Sequence, residues 1–262
     1  MIKLIATDMD GTLLNDRKEL PPDFYDILDK LKKRDIHFVI ASGRSFTTLK
    51  LNFEGSMDKL DFICDNGAYV VVNGRLVSKS ILDSAKLREM LETCLSLEGV
   101  TPVLCGMNGT YFERTDEDFY NEVRKYYLNF TCVDDILSVQ DEIFKVAVCD
   151  KKGPRNNALP VLSERFAEDF TVAETGPRWI DIMNKGINKG AALEILQREL
   201  NISKAETMSF GDYFNDVELL LAAEHSYVME NAHPEMAQYA KYRAKSNNDC
   251  GVTAVIKEYL NE

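Results

Sequence analysis

The chain has 262 residues, 45% hydrophobic and 10% aromatic, with 31 Lys and Arg against 43 Asp and Glu and a net charge of −12. That length suits one large or two modest domains with an ample core, and the acidity argues against a nucleic-acid partner, whose phosphates most of the surface would repel. Six cysteines without a C-x-x-C pair or metal-ligand spacing to the three histidines are expected to be thiols of a reducing compartment, and the lack of a signal-peptide pattern or membrane-length apolar run predicts a cytoplasmic protein.

Ile2 to Ala6 reads as a buried strand, and Asp8-Met9-Asp10-Gly11-Thr12 leaves it. Two carboxylates two residues apart suit a nucleophile and a proton donor acting on one oxyanion: Asp8 could accept a phosphoryl group and Asp10 could protonate the leaving alkoxide. Gly11 would let the chain turn sharply beside the incoming group. Alone, such a run is equally a solvated turn or the start of a calcium loop. An EF-hand loop needs further acidic ligands and a terminal Glu, however, and Leu13 and Leu14 follow here.

Phe24, Ile27, Leu28 and Leu31 then repeat at helical spacing, and Ile36 to Ala41 is a second apolar strand, giving a strand-helix-strand unit with a parallel sheet. Ser42-Gly43-Arg44 follows, where a hydroxyl and adjacent N–H groups could hold a phosphoryl oxygen or Ser42 could simply cap a helix. Phe62 to Cys64 is a third strand. Val70 to Val72 and Leu76-Val77 flank Asn73-Gly74, a hairpin signal.

From Asp83 the pattern changes to an α+β insertion of strands and helices on one sheet. Leu87, Met90, Leu91 and Leu95 predict a helix, Val100 to Cys105 and Tyr111-Phe112 flank Asn108-Gly109, and further helices precede Phe144 to Val148 and the strands at Phe170 to Val172 and Trp179 to Met183. Arg178 and Trp179 are candidates for contacting a sugar or ring, Trp179 equally for packing.

The alternation resumes with a helix at Ala191 to Leu200, whose start carries Asn188-Lys189-Gly190. A cation there opposes the helix macrodipole, which favours a role in balancing substrate charge over the usual solvated lysine. The strand Thr207 to Phe210 leads into Gly211-Asp212-Tyr213-Phe214-Asn215-Asp216, a donor set for a hard divalent cation or a loop with helix caps. A helix around Asp216 to Ala222, a strand at Tyr227 to Met229 and helical patterns near Glu235 to Tyr239 and Val252 to Leu260 complete the chain. No internal repeat occurs.

In this order, the Asp8-x-Asp10-Gly11-Thr12, Ser42-Gly43-Arg44, Lys189-Gly190 and Gly211-Asp212-x-x-Asn215-Asp216 runs resemble the four motifs of the haloacid dehalogenase-like superfamily, and in detail its Cof-type phosphatases with a C2 (IIB) cap. The resemblance spans the whole chain. It implies an α/β fold in which residues 1–82 and 186–262 form a discontinuous Rossmann-like three-layer core with a parallel sheet, and residues 83–185 an inserted α+β cap domain. It also implies a Mg²⁺-dependent phosphatase that hydrolyses small phosphate monoesters, sugar phosphates or related metabolites, through an aspartyl-phosphate.

Carried over by position, Asp8 is nucleophile and metal ligand, Asp10 is the acid/base with its backbone carbonyl on the metal, and Asp212 is the remaining ligand. Ser42, Gly43, Lys189 and Asn215 bind phosphate or substrate, Asn215 orienting substrate or Lys189. Gly11, Thr12, Arg44 and Asp216 support them, Asp216 through a metal-bound water. The partner implied is a small phosphate ester, with no nucleic acid or membrane, and the chain is expected to be a monomer or weak homo-oligomer. Met9, Glu218 and Cys250 depart from the family's usual residues without touching the chemistry. Two alternatives share the motifs: a sugar phosphomutase using the same aspartyl-phosphate, and a non-catalytic metabolite-binding regulator, which would tolerate loss of the acids and lysine that all stand here.

Overall fold

The computed structural model describes residues 1–127 and 129–261. In chain order the elements begin with β1 (Leu4–Asp8), α1 (Phe24–Lys33), β2 (His37–Ala41), α2 (Phe46–Asn52), β3 (Asp61–Cys64), β4 (Tyr69–Val72) and β5 (Arg75–Lys79). Next come α3 (Ser84–Leu95), β6 (Val100–Gly106), β7 (Thr110–Glu113), α4 (Glu117–Val123), β8 (Thr131–Val133), β9 (Ile143–Asp150), α5 (Ala158–Phe166), β10 (Phe170–Gly176) and β11 (Trp179–Asn184). The last are α6 (Lys189–Leu200), β12 (Thr207–Gly211), α7 (Val217–Leu221), β13 (His225–Met229), β14 (Tyr242–Ala244) and α8 (Gly251–Leu260). The chain divides into two compact units, one of Met1–Gly43, Phe53–Ser78 and the residues from Asn188 on, the other of Arg44–Asn52 and Lys79–Ile187.

The first unit is built on an eight-stranded sheet in the order β14-β13-β12-β1-β2-β3-β4-β5. The strands from β14 to β3 run parallel, and β4 returns antiparallel to β3. Strand β1 is buried throughout, as a central parallel strand with helices on both sheet faces must be. Leu4, Ala6, Val39, Ala41 and Ile63 pack against Ala192, Leu193 and Leu196 of α6 and Leu219 of α7. On the alternate residues, Phe38 and Phe62 belong to a row of rings with Phe24 of α1 and Phe53, at centroid separations of 5.7 to 6.2 Å. The result is the three-layer α/β arrangement that the family resemblance implies.

Local chemistry accounts for the elements. Helix α1 buries Phe24, Ile27, Leu28 and Leu31 and ends in Lys30, Lys32 and Lys33, cations that complement the carbonyl end of its dipole. Asn73 and Gly74 take φ of 49° and 71°, the left-handed pair that a two-residue turn between β4 and β5 requires. Asn108-Gly109 behaves differently. Among the described residues it has no positive φ, and the loop closes through Gly106 N–H to the Gly109 carbonyl at 2.9 Å and Asn108 N–H to Asp141.

The second unit holds a six-stranded sheet in the order β10-β11-β9-β6-β7-β8, antiparallel except for the β7–β8 pair. One face packs Leu104, Val146, Val148, Ile180 and Ile182 against Leu91 of α3 and Leu162 and Phe166 of α5. The other buries Val103, Ala147 and Trp179 with Phe119 and Val123 of α4.

At the amino-terminal end of the first sheet His37 Nδ1 meets Asp61 Oδ2 at 2.7 Å, and Asp61 also accepts from Asn73 N–H. The hydrogen bond to Asp61 raises the His37 pKa above its usual value, against the opposing effect of burial. A raised histidine pKa contributes stability that is complete below the unfolded value of about 6.5 and is lost as pH rises through the folded pKa. Thermal midpoints of the wild type and His37→Gln should therefore differ most below pH ~6.5, by about 1 kcal/mol, the size of a partly exposed pair, and converge at higher pH. A constant gap between pH 5 and pH 9 would show that the pair carries no such linkage.

Candidate active site

Strands β12, β1, β2 and β3 are parallel, so their carboxyl ends open on one edge, and β1 is the strand from which the chain continues to β2 on one side and is flanked by β12 on the other. Such an edge is where open α/β sheets bind ligands. Polar residues leave it in turn: Asp8 from β1, Ser42 from β2, Asp65 and Asn66 from β3, and Asp212 from β12.

The loop after β1 is wound tightly over its own strand. Leu13 N–H reaches the Asp8 carbonyl at 3.2 Å and Leu14 N–H the Met9 carbonyl at 2.8 Å. Gly11 has φ of 88°, and a Cβ there would collide with the Asp212 carboxylate. Only glycine accommodates both demands. Thr12 Oγ1 donates to Asp212 Oδ1 at 2.8 Å, tying the first loop to the loop after β12.

Lys189 opens α6, whose Asn188 caps the helix by accepting from Ala191 N–H at 2.7 Å. The lysine is wholly buried, and Nζ donates to Asp8 Oδ1 at 2.5 Å and to Asp216 Oδ1 at 2.6 Å. Burial alone would lower its pKa, but Asp216 and Asp8 outweigh it and hold the ammonium above the usual lysine range. Burial, opposed by Lys189 and reinforced by Asp216 and Asp212, raises the Asp8 carboxyl well above the ordinary range. Burial and Asp216 push Asp212 up to about 6. Burial dominates the two carboxyl shifts, and the surplus of acids over the one ammonium adds to them.

Asp8, Asp212 and Asp216 each offer an oxygen, and these lie within 4.8 Å of one another. A surplus of buried negative charge made of hard oxygen donors fits a divalent cation of the Mg²⁺ type. Asp216 is the least available of the three, because Oδ1 accepts from Lys189 and Oδ2 from the N–H groups of Asp212 and Tyr213 at 3.0 and 3.3 Å. Its direct work is to rivet the loop to the lysine.

Ser42 is buried at the end of β2, whose Ala41 is in register with Asp8, its N–H on the Ile63 carbonyl and its own carbonyl accepting from Asn66 N–H at 3.0 Å. A Cβ on Gly43 would stand 3.2 Å from Asn66 Oδ1, so that glycine leaves the Asn66 amide its place. Asn66 in turn accepts from Asn215 Nδ2 at 3.3 Å, a partner other than the Lys189 or substrate expected for Asn215. The Asp10 side chain is 36% exposed and pairs with Lys18 at 2.8 Å, and its charge is one of those that raise Asp212. Arg44 falls in the second compact unit and donates to Asn52 Oδ1. Trp179 is a packing residue there, 5% exposed with Nε1 on Glu122 Oε1, and Arg178 pairs with Asp118 at 3.0 Å.

Periodicity and motif spacing passed over Lys18 and Asp65 and gave no catalytic role to Asn66, Asn188 or Asn231, whose Nδ2 donates to the Gly11 carbonyl at 2.7 Å. Asp65, Asn66 and Gly67 take φ of 46°, 53° and 108° in succession. Two non-glycine residues held there cost about 1–3 kcal/mol each and are typical of functional loops. The Asn-Gly dipeptide was the available signal, since it marks a left-handed turn.

Comparison with known proteins gives a consistent result. The profile of a family described as haloacid dehalogenase-like hydrolase matches residues 5–256. The chain is 33% identical over 263 residues, covering 99% of itself and 96% of the relative, to the 5-amino-6-(5-phospho-D-ribitylamino)uracil phosphatase YbjI of Escherichia coli (strain K12). The crystal structure of SMU.1108c from Streptococcus mutans UA159 superposes with a TM-score of 0.89 at 28% identity, covering all of both chains. That of BT4131, a HAD subclass IIB sugar phosphatase, shares the fold at a TM-score of 0.79 and 20% identity over 98% of each chain.

Proposed function

The chain belongs to the haloacid dehalogenase-like hydrolases and is a phosphatase, and we propose that it hydrolyses small phosphate monoesters of sugars or polyols through an aspartyl-phosphate on Asp8, with Mg²⁺ as cofactor. The observation that carries the reading is the buried Lys189 ammonium between Asp8 and Asp216, with the Asp212 carboxylate alongside. Support for the substrate class is the relative that shares 33% identity along nearly its whole length and is named for 5-amino-6-(5-phospho-D-ribitylamino)uracil, a phosphate ester on a ribityl chain. Buried thiols at Cys64, Cys94, Cys105 and Cys149 support a reducing, cytoplasmic setting, and among the described residues no helix is long and apolar enough to cross a membrane.

In this account Lys189 and the Ser42 hydroxyl hold the phosphoryl oxygens while Asp8 attacks phosphorus in line with the ester oxygen. Asp8, Asp212 and the Asp10 backbone carbonyl would hold Mg²⁺, which supplies positive charge to the phosphoryl group. Asp10 gives a proton to the departing alkoxide and then takes one from the water that cleaves the aspartyl-phosphate. The Asp10 carboxylate meets Lys18, so proton transfer requires that exposed pair to part, a small cost in water. A phosphoryl oxyanion fits this cluster only with compensating cations, which is why Lys189 lies buried.

The experiment is phosphate release across a panel of sugar and polyol phosphates with p-nitrophenyl phosphate as reference. Asp10→Asn should slow the alkyl esters by about 10²–10⁴-fold and p-nitrophenyl phosphate far less, because nitrophenolate leaves without a proton. Equal losses would mean that Asp10 acts through loop geometry rather than as an acid. Transfer to a second hydroxyl of the substrate without release of inorganic phosphate would favour the phosphomutase instead.

A further inference from the structure

We propose that Asn66 is a further substrate-binding residue, whose side-chain amide donates a hydrogen bond to the phosphoryl group of the ester. The inference rests on the phosphatase reading above and adds a donor to its phosphoryl site. Asp65, Asn66 and Gly67 form the tight turn that ends β3, and from Asp61 to Val72 every residue except Asn66 is buried. The one side chain of this segment that reaches the surface does so at the carboxyl edge of the sheet. Its backbone takes φ of 53°, a conformation that glycine adopts without strain, so the turn itself does not call for a side chain.

The amide is fixed from three sides, all within the first compact unit. Asn66 N–H ends on the Ser42 carbonyl at 3.0 Å, and a Cβ on Gly43 would stand 3.2 Å from Asn66 Oδ1 and 3.3 Å from Nδ2. A Cβ on Gly67 would stand 2.4 Å from the Asn188 carbonyl, so the turn also lies against the residue before Lys189. Asn215 Nδ2 reaches Asn66 Oδ1 at 3.3 Å. Asn188 and Asn215 adjoin Lys189 and Asp216, whose side chains meet at 2.6 Å, and this places the turn beside the cluster. With Oδ1 accepting from Asn215, Nδ2 keeps two N–H donors, and among the described residues neither has a protein acceptor. The cluster is rich in acids and holds one buried ammonium. A phosphoryl anion needs donors there, and a fixed neutral amide supplies them without a further buried charge.

The test is steady-state phosphate release by Asn66→Gly and Asn66→Asp, with p-nitrophenyl phosphate and a sugar phosphate as substrates and inorganic phosphate as competitive inhibitor. Asn66→Gly should lower kcat/KM about 10- to 100-fold, the scale of one hydrogen bond to a charged group. The factor should be the same for both esters, because the contact is to the group they share. The inhibition constant of inorganic phosphate should rise by at least about tenfold, while the thermal midpoint holds or rises as the left-handed strain is relieved. Asn66→Asp decides what the amide does. It keeps the shape, tolerates the same φ and still accepts from Asn215, but it has no N–H to give, so it should lose at least as much as Asn66→Gly. Wild-type kinetics in either variant, a loss confined to one ester, or a loss in both variants that tracks a lower thermal midpoint would overturn the contact. Phosphate release by the unaltered enzyme tests the phosphatase reading separately.

Discussion

Asp8→Asn should abolish phosphate release, lowering kcat by at least about 10⁴-fold, the scale seen when a covalent nucleophile is removed, without lowering the thermal midpoint. The two halves of that expectation come from the same geometry. Asp8 is buried at the end of the central strand with its carboxylate on Lys189 Nζ at 2.5 Å, and burial raises its pKa well above the usual range. Replacing it with an amide keeps an acceptor for the lysine and removes one of three crowded acids. Stability should hold or rise, since an unrelieved buried charge is costly. A folded variant that still released phosphate at more than a hundredth of the native rate would remove Asp8 from the chemistry.

Metal removal should have the next largest effect. EDTA is expected to silence the enzyme and Mg²⁺ to restore it, because phosphoryl transfer depends mainly on positioning and charge stabilisation. A readout independent of turnover follows from linkage: at a Mg²⁺ concentration 100 times its Kd, the folded state gains about 2.7 kcal/mol, and the thermal midpoint should climb accordingly. Asp212→Asn should lose that rise. Asp212 sits at about 6 through burial and the neighbouring Asp216, so in the metal-free protein it takes up a proton as pH falls below that value. Binding must then displace the proton, and the apparent Mg²⁺ affinity should weaken about tenfold per pH unit below pH ~6. Unchanged midpoints with and without Mg²⁺, or full activity in EDTA, would contradict the metal assignment.

The core was legible wherever one physical rule governed many residues at once. Phe24, Ile27, Leu28 and Leu31 could face only one way on a helix, and all four are buried; alternate residues of β1 and β2 had to meet helices on both faces of a parallel sheet. Convergence of Asp8, Lys189 and Asp212 followed from the rule that such sheets bind ligands at their carboxyl edge. Where pattern and structure part, the cause is local. Leu95 keeps the helical spacing of α3 but is 44% exposed, because the helix ends there. The stretch Glu235 to Tyr239 has helical spacing but forms a 3-10 helix, Pro234–Tyr239, and the short β14 and α2 carry too few apolar residues to register. Pairings such as Asp10 with Lys18 or Asn215 with Asn66, the latter 149 residues apart, depend on tertiary placement and leave no periodic trace.

The central claim is that the phosphoryl group passes through Asp8. A single turnover of Asp10→Asn with an activated aryl phosphate, quenched in acid at successive times and followed by intact mass and peptide mapping, tests it most directly: this variant should form the phosphoenzyme readily and release it slowly. The account predicts a transient gain of one phosphoryl group, confined to the peptide that contains Asp8. An enzyme that stayed unmodified at every time while the phenol was released, or a phosphoryl group found on any other residue, would contradict it.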